Sequence, residues 1–138
     1  MAVAGYSGTP LLKKLGIKPG TKLFLLNQPA NYFELLESDI SEQVCTTIDT
    51  ADVIHLFVKN NNEFQSEMQK IFPSIKKNQN ITVWVSWYKK SAGIVTDVTE
   101  DTIRNFALKN GLVDVKVCAV SEIWSGLKLL VPLKLRNK

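Results

Sequence analysis

The chain is poor in the residues that build metal centres and disulfide frameworks. It has two cysteines, Cys45 and Cys118, 73 positions apart, one histidine and no CxxC pair. A structural zinc site needs four ligands of this kind, so it is excluded, and two isolated thiols read as small buried hydrophobes. No apolar run approaches the roughly 20 residues of a membrane-spanning helix. The opening MAVAGYSGTP has neither a basic n-region nor an apolar h-region, so the expectation is a cytoplasmic protein with no membrane partner. Glycine is scarce as well: none of the seven lies between Gly20 and Gly93. GxxxxGK[ST] is absent, which excludes a P-loop.

What is present is an ordinary globular composition. The 138 residues are 45% hydrophobic and 22% charged, enough for a single domain, 1–138, around one core. The net charge of +4 is unevenly spread: residues 1–22 hold four lysines and no acid, 23–58 hold six acids and no Lys or Arg, and 59–90 hold six lysines against two glutamates. A basic face of this kind attracts anions, although lysines also simply solvate helix surfaces.

Apolar runs at Lys22–Asn27, Val53–Val58 and Ile81–Trp87 read as strands buried on both faces, with a shorter strand at 44–48. Thr9-Pro10 opens a helix that ends at Gly16. Phe64, Met68, Ile71 and Phe72 define a second helix, which Pro73 limits or bends. A further helix spans about Val98 to Asn110, capped by Asp97 with Glu100 or by Thr99. Leu112–Val120 and Gly126–Leu135 close the chain as a hairpin with Ser125 and Gly126 in its turn, and Pro132 favours an edge for the last strand. Strands alternating with helices imply an α/β, three-layer Rossmann-like sandwich. Its sheet is expected to be mostly parallel, with a C-terminal antiparallel hairpin.

Three stretches, GYSGTPLLKKLGIKPG at 5–20, ADVIHLFV at 51–58 and VDVKVCAVSEIWSGLKLLV at 113–131, with WVSWYKKSAGIVTDVTED between them, resemble a family of small bacterial proteins of unknown function. The resemblance covers nearly the whole chain except residues 28–48, and it implies no activity or cofactor. The order of elements is more loosely similar to class I methyltransferases and other Rossmann-like domains. That architecture would imply a glycine-bearing turn after the first strand and an acid about 20 positions later. Here the turn is Asn27-Gln28-Pro29-Ala30-Asn31, and Asp49 is the nearest acid at that distance.

Candidate ligand-binding residues follow from position. Open α/β sheets bind ligands beyond the carboxyl ends of their strands, and the loop after Trp87 leaves such an end. Trp87 is a candidate ligand contact at its start, and the loop offers Lys89 and Lys90 for charge, Ser91 and Thr96 for hydroxyls, and Gly93 for flexibility. Trp124 and Lys128 line the same pocket if the sheet brings them there; otherwise Trp124 covers the end of the core. Tyr6, Ser7 and Gly8 either bind an anion with Lys13 and Lys14 or form an arm packed over the sheet. His55 reads as a packed, hydrogen-bonded side chain, and no catalytic residue or cofactor is assigned. The functional expectation is an anionic or nucleotide-like small-molecule ligand. The alternatives are a non-enzymatic module docking protein or nucleic acid, with nucleic acid the less favoured partner, and a divergent adenosylmethionine-dependent methyltransferase.

Overall fold

A computed structural model describes residues 10–132. Five strands form one sheet: β1 Leu23–Leu26, β2 Val53–Phe57, β3 Thr82–Tyr88, β4 Val113–Ala119 and β5 Trp124–Leu130, in the order β1-β2-β3-β5-β4. The pairs β1–β2 and β2–β3 are parallel, while β5 is antiparallel to both β3 and β4. β4 therefore points the same way as β1–β3, and β5 alone of the described strands is reversed.

Helices α1 (Leu11–Leu15) and α2 (Tyr32–Leu36) cover one face, burying Leu15, Tyr32 and Leu36 against Val53, Phe57, Trp84 and Trp124. Helices α3 (Asn61–Lys77) and α4 (Glu100–Lys109) cover the other, against Ile54, Leu56, Val83, Val85, Leu127 and Leu129. Alternate strand residues thus feed two separate cores, which makes the three layers expected of the sequence.

The helices follow local chemistry. Asn60 caps α3 by accepting from the Glu63 N–H at 2.8 Å, and Phe64, Met68, Ile71 and Ile75 form its buried stripe. Pro73 does not end it. That residue lies on the exposed side, and the Asn78 N–H still reaches the Ser74 carbonyl at 2.9 Å. In α4 the cap is Thr99, whose hydroxyl accepts from the Thr102 N–H at 3.2 Å. Asp97 is committed elsewhere, accepting from the Asn61 N–H at 2.7 Å. Glu100 and Asp101 pair with Arg104 within the helix, and Arg104 also reaches Asp114 at 3.0 Å, which fastens α4 to β4.

Four expectations are corrected. β1 is an edge strand in which Leu23 alone is fully buried, so its apolar run does not mark burial on both faces. Residues 44–48 form no strand; Val44 makes a single parallel bridge to Leu23, and a 3-10 turn follows at Ile48–Thr50. The hairpin inserts β5 between β3 and β4, leaving β4 as the edge. Pro132 does not force an edge position, because it lies past the last paired residue. Ser125 and Gly126 belong to β5 and not to the turn. The proposed Thr9 cap and residues 133–135 of the expected last strand lie outside the described residues.

Gly126 is closely packed. A Cβ there would stand 3.1 Å from Val120 Cγ2 and 3.3 Å from the Trp84 ring, both buried, so these neighbours would have to shift by a few tenths of an ångström. Gly126→Ala is expected to cost about 1–3 kcal/mol, read as a lower urea midpoint with unchanged slope.

Candidate functional site

The connection leaving β3 is held at both ends. The Lys89 N–H donates to the Ile123 carbonyl at 2.9 Å, tying the loop to the β4–β5 turn. The Thr96 hydroxyl donates to the Lys59 carbonyl at 2.8 Å and accepts from the Val98 N–H at 3.2 Å, so Thr96 serves as a staple to the β2–α3 connection. Between them, Lys90–Ala92 form a 3-10 turn closed by Gly93 at φ 70°, where glycine meets no Cβ strain. Lys90, Ser91 and Gly93 are exposed, and Lys89 is half-buried.

Strand alternation divides the remaining candidates. Trp87 faces α3 and α4 within their core, whereas Trp124 belongs to the opposite core. These two tryptophans therefore do not line one pocket. The residue that meets Trp124 is Tyr88, stacked on it at 4.4 Å between ring centroids. Lys128 lies on the Trp124 side of the sheet, opposite Trp84 in β3 and opposite Lys116 in β4. Tyr6, Ser7 and Gly8 lie outside the described residues.

A basic cluster on that side was only partly visible in the sequence. Lys116 and Lys128 are direct cross-strand partners, and Cys118 occupies the next row, opposite Gly126. The Trp84 indole N–H donates to the Leu15 carbonyl at 3.0 Å, which brings the end of α1, and with it Lys14, beside this surface. Burial pushes the Cys118 thiol upward, while the ammonium groups of Lys14, Lys116 and Lys89 pull it down. Both cysteines are free and half-buried rather than fully packed. No residue of β4 is fully buried, so its lysine-bearing side is open. Lys116 escaped notice because a register shift between Asp114 and Lys116 resets the alternation of β4.

A second polar group on the same side is closed. The Tyr32 hydroxyl and His55 Nδ1 are 2.8 Å apart, and His55 Nε2 is 2.7 Å from the Ser86 hydroxyl. The imidazole also stacks on Phe57 at 4.3 Å. Burial lowers His55 to about 3 and raises Tyr32 far above the usual phenol range. The ring is neutral, fully buried and bonded at both nitrogens, so it serves as a crossbar between α2, β2 and β3.

The residues after β1 do not fit a dinucleotide or adenosylmethionine in the customary Rossmann position. Asn27 stands at φ 60° where a glycine would let a cofactor approach, and its amide donates to the buried Glu67 at 2.8 Å. Asp49 accepts from the Ser74 hydroxyl at 2.7 Å and lies 3.7 Å from Lys77, near the C-terminus of α3 and away from the β1–α2 connection. Two clefts, of about 450 Å³ beside Lys22, Gln43 and Thr47 and about 190 Å³ beside Phe72, Gly111 and Val131, open at the opposite end of the sheet. Among the described residues, no cluster of three His, Cys, Asp or Glu side chains is placed to hold a metal. No described helix is long and apolar enough to cross a membrane.

Solved structures share the architecture. A protein of the NADB-Rossmann superfamily from Streptococcus agalactiae matches with a TM-score of 0.52 and 14% identity, over 90% of this chain and 68% of that one. A "putative type 11 methyltransferase" from Sulfolobus solfataricus gives a TM-score of 0.49 at 14% identity, over 86% and 75% of the two chains. At such identity the likeness is one of fold, and the first match, with the strand order above, shows a Rossmann-like α/β architecture. No protein-family model matches the chain, so the resemblance to small bacterial proteins of unknown function stands on its motifs alone. No curated protein matches it either.

Proposed function

We propose that the protein binds an anionic, nucleotide-like small molecule at the exposed β4 margin on the α1–α2 side of the sheet, where Lys14, Lys89, Lys116 and Lys128 gather. The observation that carries this reading is the direct cross-strand pairing of Lys116 with Lys128. Like charges set opposite one another destabilise a sheet, and a bound anion converts that repulsion into attraction. Lys89 extends the cluster to the C-terminal end of β3, and Lys14 joins it from α1. The thiol of Cys118 is within electrostatic reach of three of these four ammonium groups.

A thermal-shift series with tripolyphosphate, ATP, phosphosugars and adenosylmethionine tests the reading. The polyphosphates are expected to raise the unfolding midpoint, since a ligand bound only to the folded state adds about 2.7 kcal/mol at a hundredfold excess over Kd. Added salt should diminish the shift. Lys89→Ala should weaken binding about fivefold, and Lys90→Ala, on the exposed turn, less. No shift with any compound, together with salt-dependent retention on nucleic acid, would replace this reading with that of a docking module.

A further inference from the structure

We propose that Tyr88 recognises the base of a nucleoside polyphosphate, its ring held by Trp124 while the phosphate groups lie on the Lys116–Lys128 pair. This inference rests on the lysine face being an anion site, and it names the ligand that face selects.

Among the strand aromatics on its side of the sheet, Phe57, Trp84 and Trp124 are buried, whereas Tyr88 ends β3 half-exposed; on α2, Tyr32 is buried and Phe33 half-buried. The Tyr88 ring is nonetheless fixed. It stacks on Trp124 with 24° between planes, and Trp124 is itself held edge-to-face against Phe57 at 5.0 Å. A partly open ring whose orientation is already set loses little freedom when a second ring stacks on it. Every nucleobase offers a π-face for such stacking.

The register then fixes the shape of the ligand. Tyr88 pairs with Trp124 in β5, and Lys128, the partner of Lys116, lies four residues further along the same strand. That separation is about 13 Å along the sheet. An inorganic phosphate spans only the lysine end, and a free base only the aromatic end. A nucleoside with two or three phosphates reaches both, while Lys89 lies beyond Tyr88, on the side away from Lys128. This surface is separate from the β1–α2 connection, where Asn27 closes the usual Rossmann cofactor position.

Calorimetric titration of the full chain with ATP and with tripolyphosphate separates this inference from the reading beneath it. ATP is expected to bind about tenfold more tightly than tripolyphosphate. Tyr88→Leu should erase that advantage while leaving tripolyphosphate binding intact, and Tyr88→Phe should preserve it. NMR on the unmodified protein gives a second readout. The Tyr88 and Trp124 ring resonances should shift with ATP and not with tripolyphosphate. Equal affinities, an advantage that survives Tyr88→Leu, or unmoved ring resonances would overturn the role of Tyr88 and leave the anion site standing. Failure of both ligands to bind the unmodified protein would overturn the anion site itself.

Discussion

His55→Ala is expected to lower unfolding free energy by about 4 kcal/mol. Two terms add. Removing a fully buried ring leaves a cavity against Phe57, and it strips the Tyr32 and Ser86 hydroxyls of partners at 2.8 and 2.7 Å. Tyr32→Phe and Ser86→Ala, which remove one bond each and little volume, should cost about 1–2 kcal/mol apiece. Urea denaturation reads all three. Acid supplies an independent check. The folded protein keeps His55 neutral down to about pH 3. In the unfolded chain the same group takes up a proton near its ordinary value of about 6.5. Between those values the unfolded state binds more protons, so the contribution is complete above about pH 6.5 and falls on acidification. The loss is about 1.4 kcal/mol per unit once the unfolded histidine is charged. His55→Phe, which cannot titrate, should show a shallower decline than the unmodified protein. Parallel curves would mean that His55 is not the buried neutral crossbar described.

Lys116→Glu should separate stability from binding by moving them in opposite directions. In the free protein Lys116 and Lys128 face each other across β4 and β5. Reversing one charge replaces repulsion with an ion pair, a gain of about 0.2–1 kcal/mol. The same change places a carboxylate where phosphate oxygens would lie, and polyphosphate affinity should fall by more than about tenfold. Lys128→Glu should behave alike. The double variant restores like charges, so it should lose the stability gain and still fail to bind. Increased stability with unchanged polyphosphate affinity would show that the pair is only a solvated surface.

The sequence exposed what periodicity encodes. Val53–Phe57 and Thr82–Tyr88 stand out as strands because they are buried on both faces, and Phe64, Met68 and Ile71 stand out as a helical stripe, which the structure completes with Ile75 while Phe72 is only partly buried. The alternation of strands and helices carried the fold class, and the absence of glycine after β1 already pointed away from the usual cofactor position. Pairing was not legible. Nothing local states that β5 enters between β3 and β4, since that order is decided by which side chains bury together once the chain is folded. The proposed lysine site depends on that order: Lys116 and Lys128 are neighbours only through β4–β5 register, and the irregularity after Asp114 breaks the alternation that would have placed Lys116. Trp87 was grouped with Trp124 by loop position, yet strand alternation sends it to the other core and leaves Tyr88 as the partner. His55 could be read as packed, but its partners lie 23 and 31 positions away, beyond any spacing rule.

Mapping backbone amide shifts during a tripolyphosphate titration tests the central claim most directly, because it locates the anion without altering the protein. Perturbations should be concentrated at Lys14, Lys89, Lys116–Cys118 and Gly126–Lys128, and should weaken as salt is added. Shifts centred instead on the cleft beside Lys22, Gln43 and Thr47, or no shifts at all, would contradict an anion site on the lysine face.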